Sequence, residues 1–275
     1  IAKTHRFEVP IEVINVPGDG ARRAWTNYVD NYSGDGHVIG ISSPNLTSDY
    51  LVGIAGFEHS RYTPIATLVT EYIAFAVSSG SRLRTGADLL DLLSRPSSAV
   101  RVALSTALGN PNHVAVVKLT RQAGVDVNAP TIRVFDTALD AVADVVAGTA
   151  DVCAVTAASV LAELKAGRVR LLGVSAPERL SGPFAGAPTW KEQSVDCVIG
   201  AWRGVTGPAG LKPTQVLFWA GILEAVIDQP IWREALSRSN WSPMFKEGAE
   251  LHAYLEKERA ELIAVLGDLG LLKRQ

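Results

Sequence analysis

The stretch Ala187–Pro213 reads APTWKEQSVDCVIGAWRGVTGPAGLKP. Pro188-Thr189 makes a turn, and Glu192 gives an acidic start to a short helix. An apolar strand follows through Val198 and Ile199. Trp202-Arg203-Gly204 closes that strand, and Gly207-Pro208-Ala209-Gly210 turns the chain into a long helix. No single part is rare, but the order and spacing are.

Working back toward the N-terminus, the segments alternate. VRVAL (100–104) is a strand, and Asn110-Pro111 opens a helix that stops at Gly124. Asparagine caps, and proline suits the first helical position. TIRVF is the next strand. Leu139, Val142 and Val146 then share one helical face before Gly148. DVCAVT, the helix AASVLAELKAG and the strand RVRLLGVSA complete the series. Strands and helices alternating with short glycine stops predict a parallel sheet covered on both faces.

Beyond Gly210 the pattern is helical, at 212–228, 231–239 and 248–266. The N-terminal part has strands at 7–16 and 37–42, a long strand-like run near 65–78 and a helix near 85–94. Composition breaks at Arg95-Pro96-Ser97-Ser98 and near Val198–Arg203. Taken as crossings, they make 1–98 with 199–275 one domain and 99–198 a second, inserted domain, with a hinge between.

The 275 residues carry 26 basic and 28 acidic side chains, a net charge of -2, so nothing favours nucleic acid or an anionic membrane. No apolar run approaches the ~20 residues of a membrane helix. The chain starts with Ile and carries no signal peptide, which reads as a processed, cloned or incomplete chain. Cys153 and Cys197 sit in apolar strand-like segments without metal-ligand spacing; buried free thiols are the default reading, and a mutual disulfide is the alternative.

Enzyme constellations are weak. GDGARR imitates G-x-G-x-x-G, but Arg23 stands at the third glycine position. GVSAP lacks the second glycine of a nucleophile elbow, and the five histidines show no paired metal spacing. No cofactor is expected.

The opening stretch resembles the solute-binding receptors of tripartite tricarboxylate transporters, the TctC or Bug receptors. Their PT-x-x-E-x-G, W-x-G and P-x-G segments match Pro188-Thr189, Glu192, Trp202-Arg203-Gly204 and Pro208-Ala209-Gly210. The resemblance covers nearly the whole chain. VINVPGDGARRAW (13–25) is similar to the family's V-x-N-x-P-G-A-G-G run, with Ala21 and Arg22 departing from its Gly-rich continuation. SGDGHVIGISS (33–43) is similar to P-D-G-Y-T-L, and TPIATLV (63–69) to F-x-P-I-A-x-L. LSTALGNPNH (104–113) stands where the family has a Ser/Gly-rich loop ending in His. FDTALDAVADVVAGTADV (135–152) and LKAGRVRLLGVSAPERL (164–180) resemble its Y-K-G and I-x-A-G-K-L-R lines. One departure is serious: the family's opening strand and aromatic-x-P-G-G-x-x-D loop are not seen. Missing residues are the expected explanation, because losing a central strand would cost more than a domain's net stability of ~5–15 kcal/mol.

The resemblance implies a two-lobe α/β receptor of type II periplasmic-binding-protein architecture. It implies a periplasmic or membrane-anchored extracytoplasmic monomer that is not an enzyme. Its partners would be a small organic carboxylate and membrane transporter subunits, with no nucleic acid. A small-molecule enzyme on an α/β scaffold and an effector-sensing module of the same fold are the alternatives.

Candidate ligand residues follow the strand ends. Ser105, Thr106, Gly109 and Asn112 lie in a strand-to-helix loop, where free backbone N–H groups and the helix dipole suit a carboxylate. On the residues alone an ordinary capped loop is preferred; the resemblance reverses that preference. At Asp136, Thr137 and Ala138 a ligand-donating turn competes with an exposed cap on Asp136. Ser42, Ser43 and Asn45 either close on the ligand or merely begin a helix after Pro44. Ser175 ends a strand, where open parallel sheets place ligands, or is a buried hydroxyl bonded to backbone. His113 reads as a packing or capping residue, and Trp190, Trp202 and Trp219 as core and lobe-interface groups rather than stacking platforms.

Overall fold

The computed structural model describes residues 10–18, 21–54, 61–95 and 100–273. The chain divides into two compact units. Unit 1 comprises 1–70, 202–261 and 273–275; unit 2 comprises 71–201 and 262–272. Of the four divisions, the one at Ala201/Trp202 lies within the composition break at 198–203, and the one at Thr70/Glu71 lies away from the break at 95–98.

Unit 2 is built on strands that alternate between two cores. The second half of β2 (Tyr62–Ser78) sends Ile73, Phe75 and Val77 to one face and Ala74 and Ala76 to the other. It pairs antiparallel with β5 (Val152–Thr156) and β6 (Val169–Val174). β5 runs parallel to β3 (Arg101–Ser105), and β3 parallel to β4 (Thr131–Phe135). α3 (Gly86–Ser94) and α4 (Pro111–Gln122) supply Leu89, Leu93, Val116 and Leu119 to the first core. α5 (Ala138–Val146) supplies Ala141, Val142 and Val145 to the second. Both sheet faces are therefore covered.

The local signals explain these helices. Thr85 and Asp88 close a capping box on α3, and Asn110 caps α4 ahead of Pro111. α4, α5 and the short α6 (Leu161–Lys165) stop alike, at Gly124, Gly148 and Gly167, all with φ near +70°. Leu139 corrects the expected helical stripe: it is 66% exposed, and the buried set is Ala141, Val142 and Val145.

Trp190 fills the centre of the first core. It is fully buried and meets Phe75 edge-on at 5.1 Å. Gly86 and Gly173 make room for it, since a Cβ on either would fall 2.5 or 2.8 Å from the indole. The motif around it is structural. Thr189 Oγ1 accepts from the Glu192 N–H, Glu192 accepts from the Thr189 N–H, and Arg179 pairs with Glu192 at 2.8 Å. Cys153 and Cys197 are buried free thiols.

Unit 1 carries a smaller sheet. β1 (Gly40–Ser42) pairs antiparallel with β7 (Gly200–Pro208), β7 neighbours the first half of β2, and β8 (Ser242–Glu247) pairs with β2. Gly204 allows the β7–β2 approach, because a Cβ there would sit 2.6 Å from the Ala66 carbonyl oxygen. Trp219 and Leu223 on α7 (Pro213–Ile227) pack on Ile65 and Val205. α1 (Arg22–Asn31), α2 (Asn45–Leu51), α8 (Pro230–Ser239) and α9 (Gly248–Asp268), most of which lies in this unit, complete it.

Three expectations change here. Residues 10–17 form no strand and are mostly exposed, with 7–9 of the expected strand outside the described residues. α1 lies in a segment read from the sequence only as strand and loop. β8 interrupts a region expected to be purely helical. No described helix is long and apolar enough to cross a membrane.

Candidate functional site

In unit 2 the parallel strands β3, β4 and β5 end on the same edge, and β6 runs with them because both it and β5 oppose β2. Open sheets present ligands at that edge. The Ser105–Asn112 loop stands there, and its backbone is strained. Thr106 has φ 70°, a left-handed conformation that a β-branched residue rarely adopts. Such strain costs about 1–3 kcal/mol and gathers at functional sites.

A bond network holds it. The Thr106 N–H donates to Phe135 O at 2.8 Å. Asn110 Nδ2 donates to Ser105 O at 2.7 Å and to Thr106 Oγ1 at 2.8 Å, while Asn110 Oδ1 accepts from the His113 N–H. Asn112 Nδ2 donates to Ser105 Oγ at 3.1 Å, which leaves the Ser105 hydroxyl proton for another acceptor. The Asn112 backbone N–H belongs to the first helical turn, where no intrahelical acceptor exists. Ser105 and Asn112 are buried, and Thr106 is exposed above them.

Gly109 contributes less than its position suggested. Its N–H is spent on His113 Nδ1 at 3.1 Å. Burial lowers the His113 pKa to about 4, so the ring is neutral at pH 7 and acts as a capping acceptor.

The Asp136–Ala138 turn lies beside this loop, since Ser105 pairs with Phe135. The cap is Thr137 and not Asp136. Thr137 Oγ1 accepts from the Asp140 N–H and donates to Asp140 Oδ2 at 2.6 Å, so its hydroxyl proton is engaged. Asp136 is exposed, and the Ala138 backbone N–H opens the helix. Ser175 is fully buried. Its Oγ accepts from the Ile73 N–H at 2.8 Å and donates to Ile199 O at 2.5 Å. A ligand contact through that hydroxyl would have to break a buried backbone bond.

The same strand-end rule points to a residue pair that sequence reading missed. Thr156 ends β5 and its hydroxyl meets Ser159 Oγ at 2.9 Å on this edge. Asn110, read only as a cap, also ties Ser105 to Thr106.

In unit 1, Ser42, Ser43 and Asn45 form the β1–α2 turn. Ser42 is buried opposite Gly204; Ser43 O accepts from the Leu46 N–H; Asn45 opens α2 after Pro44 without a side-chain cap. Among the described residues, no group of His, Cys, Asp or Glu suits a metal ion.

The mixed sheet of unit 2, with hydroxyl- and amide-bearing loops at its strand ends, in a chain of two units, has the α/β architecture of type II periplasmic-binding proteins. The chain belongs to the tripartite tricarboxylate transporter family receptors, TctC, whose family model matches residues 5–271. It is similar to a TctC solute-binding protein from Polaromonas, at 23% identity over 92% of this chain and 85% of that one, with TM-score 0.74. A Rhodopseudomonas palustris protein solved with adipate matches at 20% identity, 92% and 84% coverage and TM-score 0.76. MatC of the same organism, solved with bound malate, matches at 19% identity, 94% and 88% coverage and TM-score 0.71. No curated protein sequence matches the chain.

Proposed function

We propose that this chain is an extracytoplasmic receptor that captures a small organic carboxylate, a dicarboxylate first of all, for a tripartite tricarboxylate-type transporter. It works as a periplasmic monomer, by binding rather than catalysis, and its further partners are the transporter's membrane subunits. The observation that carries this reading is the strained Ser105–Asn112 loop, with an unspent Ser105 hydroxyl proton and the Asn112 N–H at a helix start. Both are donors suited to a carboxylate. Relatives holding malate and adipate support the same chemistry. Ala138 and Thr156 extend the donor set along this edge, and Ser42, Ser43 and Asn45 are the candidate donors of unit 1. Capture couples to movement at the strand crossings near Thr70 and Ala201.

Calorimetry with malate and adipate tests this. Thr106→Leu and Asn112→Leu are each expected to weaken binding by about 1–3 kcal/mol, the cost of unsatisfied buried partners. Unchanged affinity would move the site elsewhere. Saturating ligand is expected to change the radius of gyration and the Trp202 emission; a confirmed binder that changes neither would remove the movement from the reading.

A further inference from the structure

In unit 2, β2 runs against β5, so its residues before Ile73 reach past the edge where β3, β4 and β5 end. Ile73 lies opposite Thr156, which puts Tyr72 beside Ala157. On the other side Ser175 bonds Ile73, which puts Tyr72 beside Ala176. Tyr72, Ala157 and Ala176 all pack on the second core. Ser105 follows Leu104 of the first core, so by alternation its side chain shares the face of Tyr72. Ala103 lies level with Cys153, and Val155 with Ala74. Tyr72 therefore stands two strands across from Ser105 and two residues nearer the edge, about 10 Å across the sheet and about 7 Å along it. The strand between them ends in Thr156 and Ala157.

The Tyr72 ring is half-buried between two small side chains, and its hydroxyl makes no hydrogen bond among the described residues. Burial raises its pKa, and the charge of Glu178, just past the end of β6, raises it further. The phenol thus keeps its proton at pH 7 and remains a donor. Ser175 and Thr137 on the same edge have spent their hydroxyl protons; Tyr72 has not.

We propose that Tyr72 is a specificity-determining residue of this site, donating its phenol O–H to an oxygen at the far end of an acid anchored at Ser105 and Asn112. The carbon chain of that acid crosses Ala157. The inference rests on the carboxylate reading above and adds a ligand class to it: an acid with a second oxygen function, carboxylate or hydroxyl, at the other end of an apolar chain. A site that hydrogen-bonds such an oxygen rejects the analogue lacking it, because its own donor is left unpaired. Glu178 disfavours a second charge there only weakly, since it is exposed and screened by solvent.

Adipate, ω-hydroxyhexanoate and hexanoate, three acids of equal chain length, test this by calorimetry beside malate. Tyr72→Phe keeps the ring and removes the hydroxyl. It is expected to weaken adipate, ω-hydroxyhexanoate or both by about fivefold or more and to leave hexanoate unchanged. Which of the two weakens identifies the far group as carboxylate or hydroxyl. Equal weakening of all three acids marks a packing role and overturns the proposal. Unchanged affinity for all three also overturns it, as does a wild-type protein that binds malate but none of the three; in both cases the carboxylate reading stands. Failure of the wild type to bind any of the four removes that reading and this one together.

Discussion

The two units solve the burial of polar groups differently. In unit 2 the strand-end polar groups are tied down: Ser175 bonds two backbone groups, Asn110 three partners, and Thr137 its own helix. Four buried side-chain polar atoms among the described residues lack a partner; Thr67 Oγ1, Glu247 Oε2 and Arg259 Nε are in unit 1, and only Trp190 Nε1 is in unit 2. Unit 1 also exposes Val13, Ile14, Ile41, Leu217 and Phe218, each more than half exposed. Unit 2 is a two-faced core in which Leu139 is the one large apolar side chain more than half exposed among the described residues; unit 1 has more polar and apolar surface still to be satisfied.

The largest expected effect breaks the closed core. Trp190→Ala removes an indole packed against Phe75, Gly86 and Gly173, in a place shaped by two glycines that cannot move in to fill the void. The cost is about 3–5 kcal/mol. Urea unfolding, followed unit by unit with pulsed hydrogen exchange, is expected to show unit 2 giving way first. A loss spread equally over both units would contradict its independence.

Acid is expected to separate the units in opposite directions. Burial raises the pKa of Glu258 to about 7, against hydrogen bonds from Trp202 and Tyr254 that lower it, and Glu261 adds repulsion. Burial likewise raises Asp49 to about 6. Both are in unit 1. A folded pKa above the unfolded one gives stability that is full below about pH 4.5 and is lost as pH rises through 7. For Glu258 that amounts to at most about 3 kcal/mol.

Unit 2 runs the other way. His113 is lowered to about 4 by burial, so its contribution is present above pH 6.5 and lost as pH falls through 4. Burial pushes Asp151 up, but hydrogen bonds from the Arg101 side chain and backbone, with its charge, together hold it below the usual range. Its contribution is also lost in acid. Moving from pH 7.5 to 5 should therefore stabilise unit 1, and going below 4 should weaken unit 2. Glu258→Gln is expected to flatten the rise in unit 1. A parallel response of both units would refute the assignment.

What the sequence made legible follows from how local each signal is. Asn110-Pro111, Thr85 with Asp88, and the glycines at 124, 148 and 167 act within one turn, so the helices of unit 2 are readable residue by residue. Parallel β3 and β4 follow from the alternation. Leu139 was misread because periodicity cannot tell the first helical turn, which overhangs the strand ends, from the turns that meet the sheet. β8, as SPMFKE, begins with proline at its second position and shows no clean alternation; only its pairing with β2 makes it a strand. VPIEVINVP has strand composition, yet residues 10–17 find no ladder partner. At the candidate site, the strand-to-helix position of the Ser105–Asn112 loop was readable. That the hydroxyls of Thr137 and Ser175 were already engaged was not, because their partners depend on rotamer and on Ile199, 24 residues away.

The smallest expected effect is the sharpest test of the contrast, because it compares two threonines of one unit. Thr67 and Thr206 are both about 1% exposed. Thr206 Oγ1 donates to Thr63 O, whereas Thr67 Oγ1 has no partner among the described residues. Valine keeps the shape of threonine and removes the hydroxyl. Thr206→Val then loses a made bond and leaves Thr63 O without it, an expected cost of about 1 kcal/mol. Thr67→Val removes a group that was desolvated without return, so it is expected to gain about 1 kcal/mol. Opposite signs in urea midpoints at unchanged m-value would show that unit 1 holds the Thr67 hydroxyl at the expense of its own stability. Equal losses in both variants would mean that the Thr67 hydroxyl is already satisfied, and the contrast between the units would shrink to their exposed apolar surface.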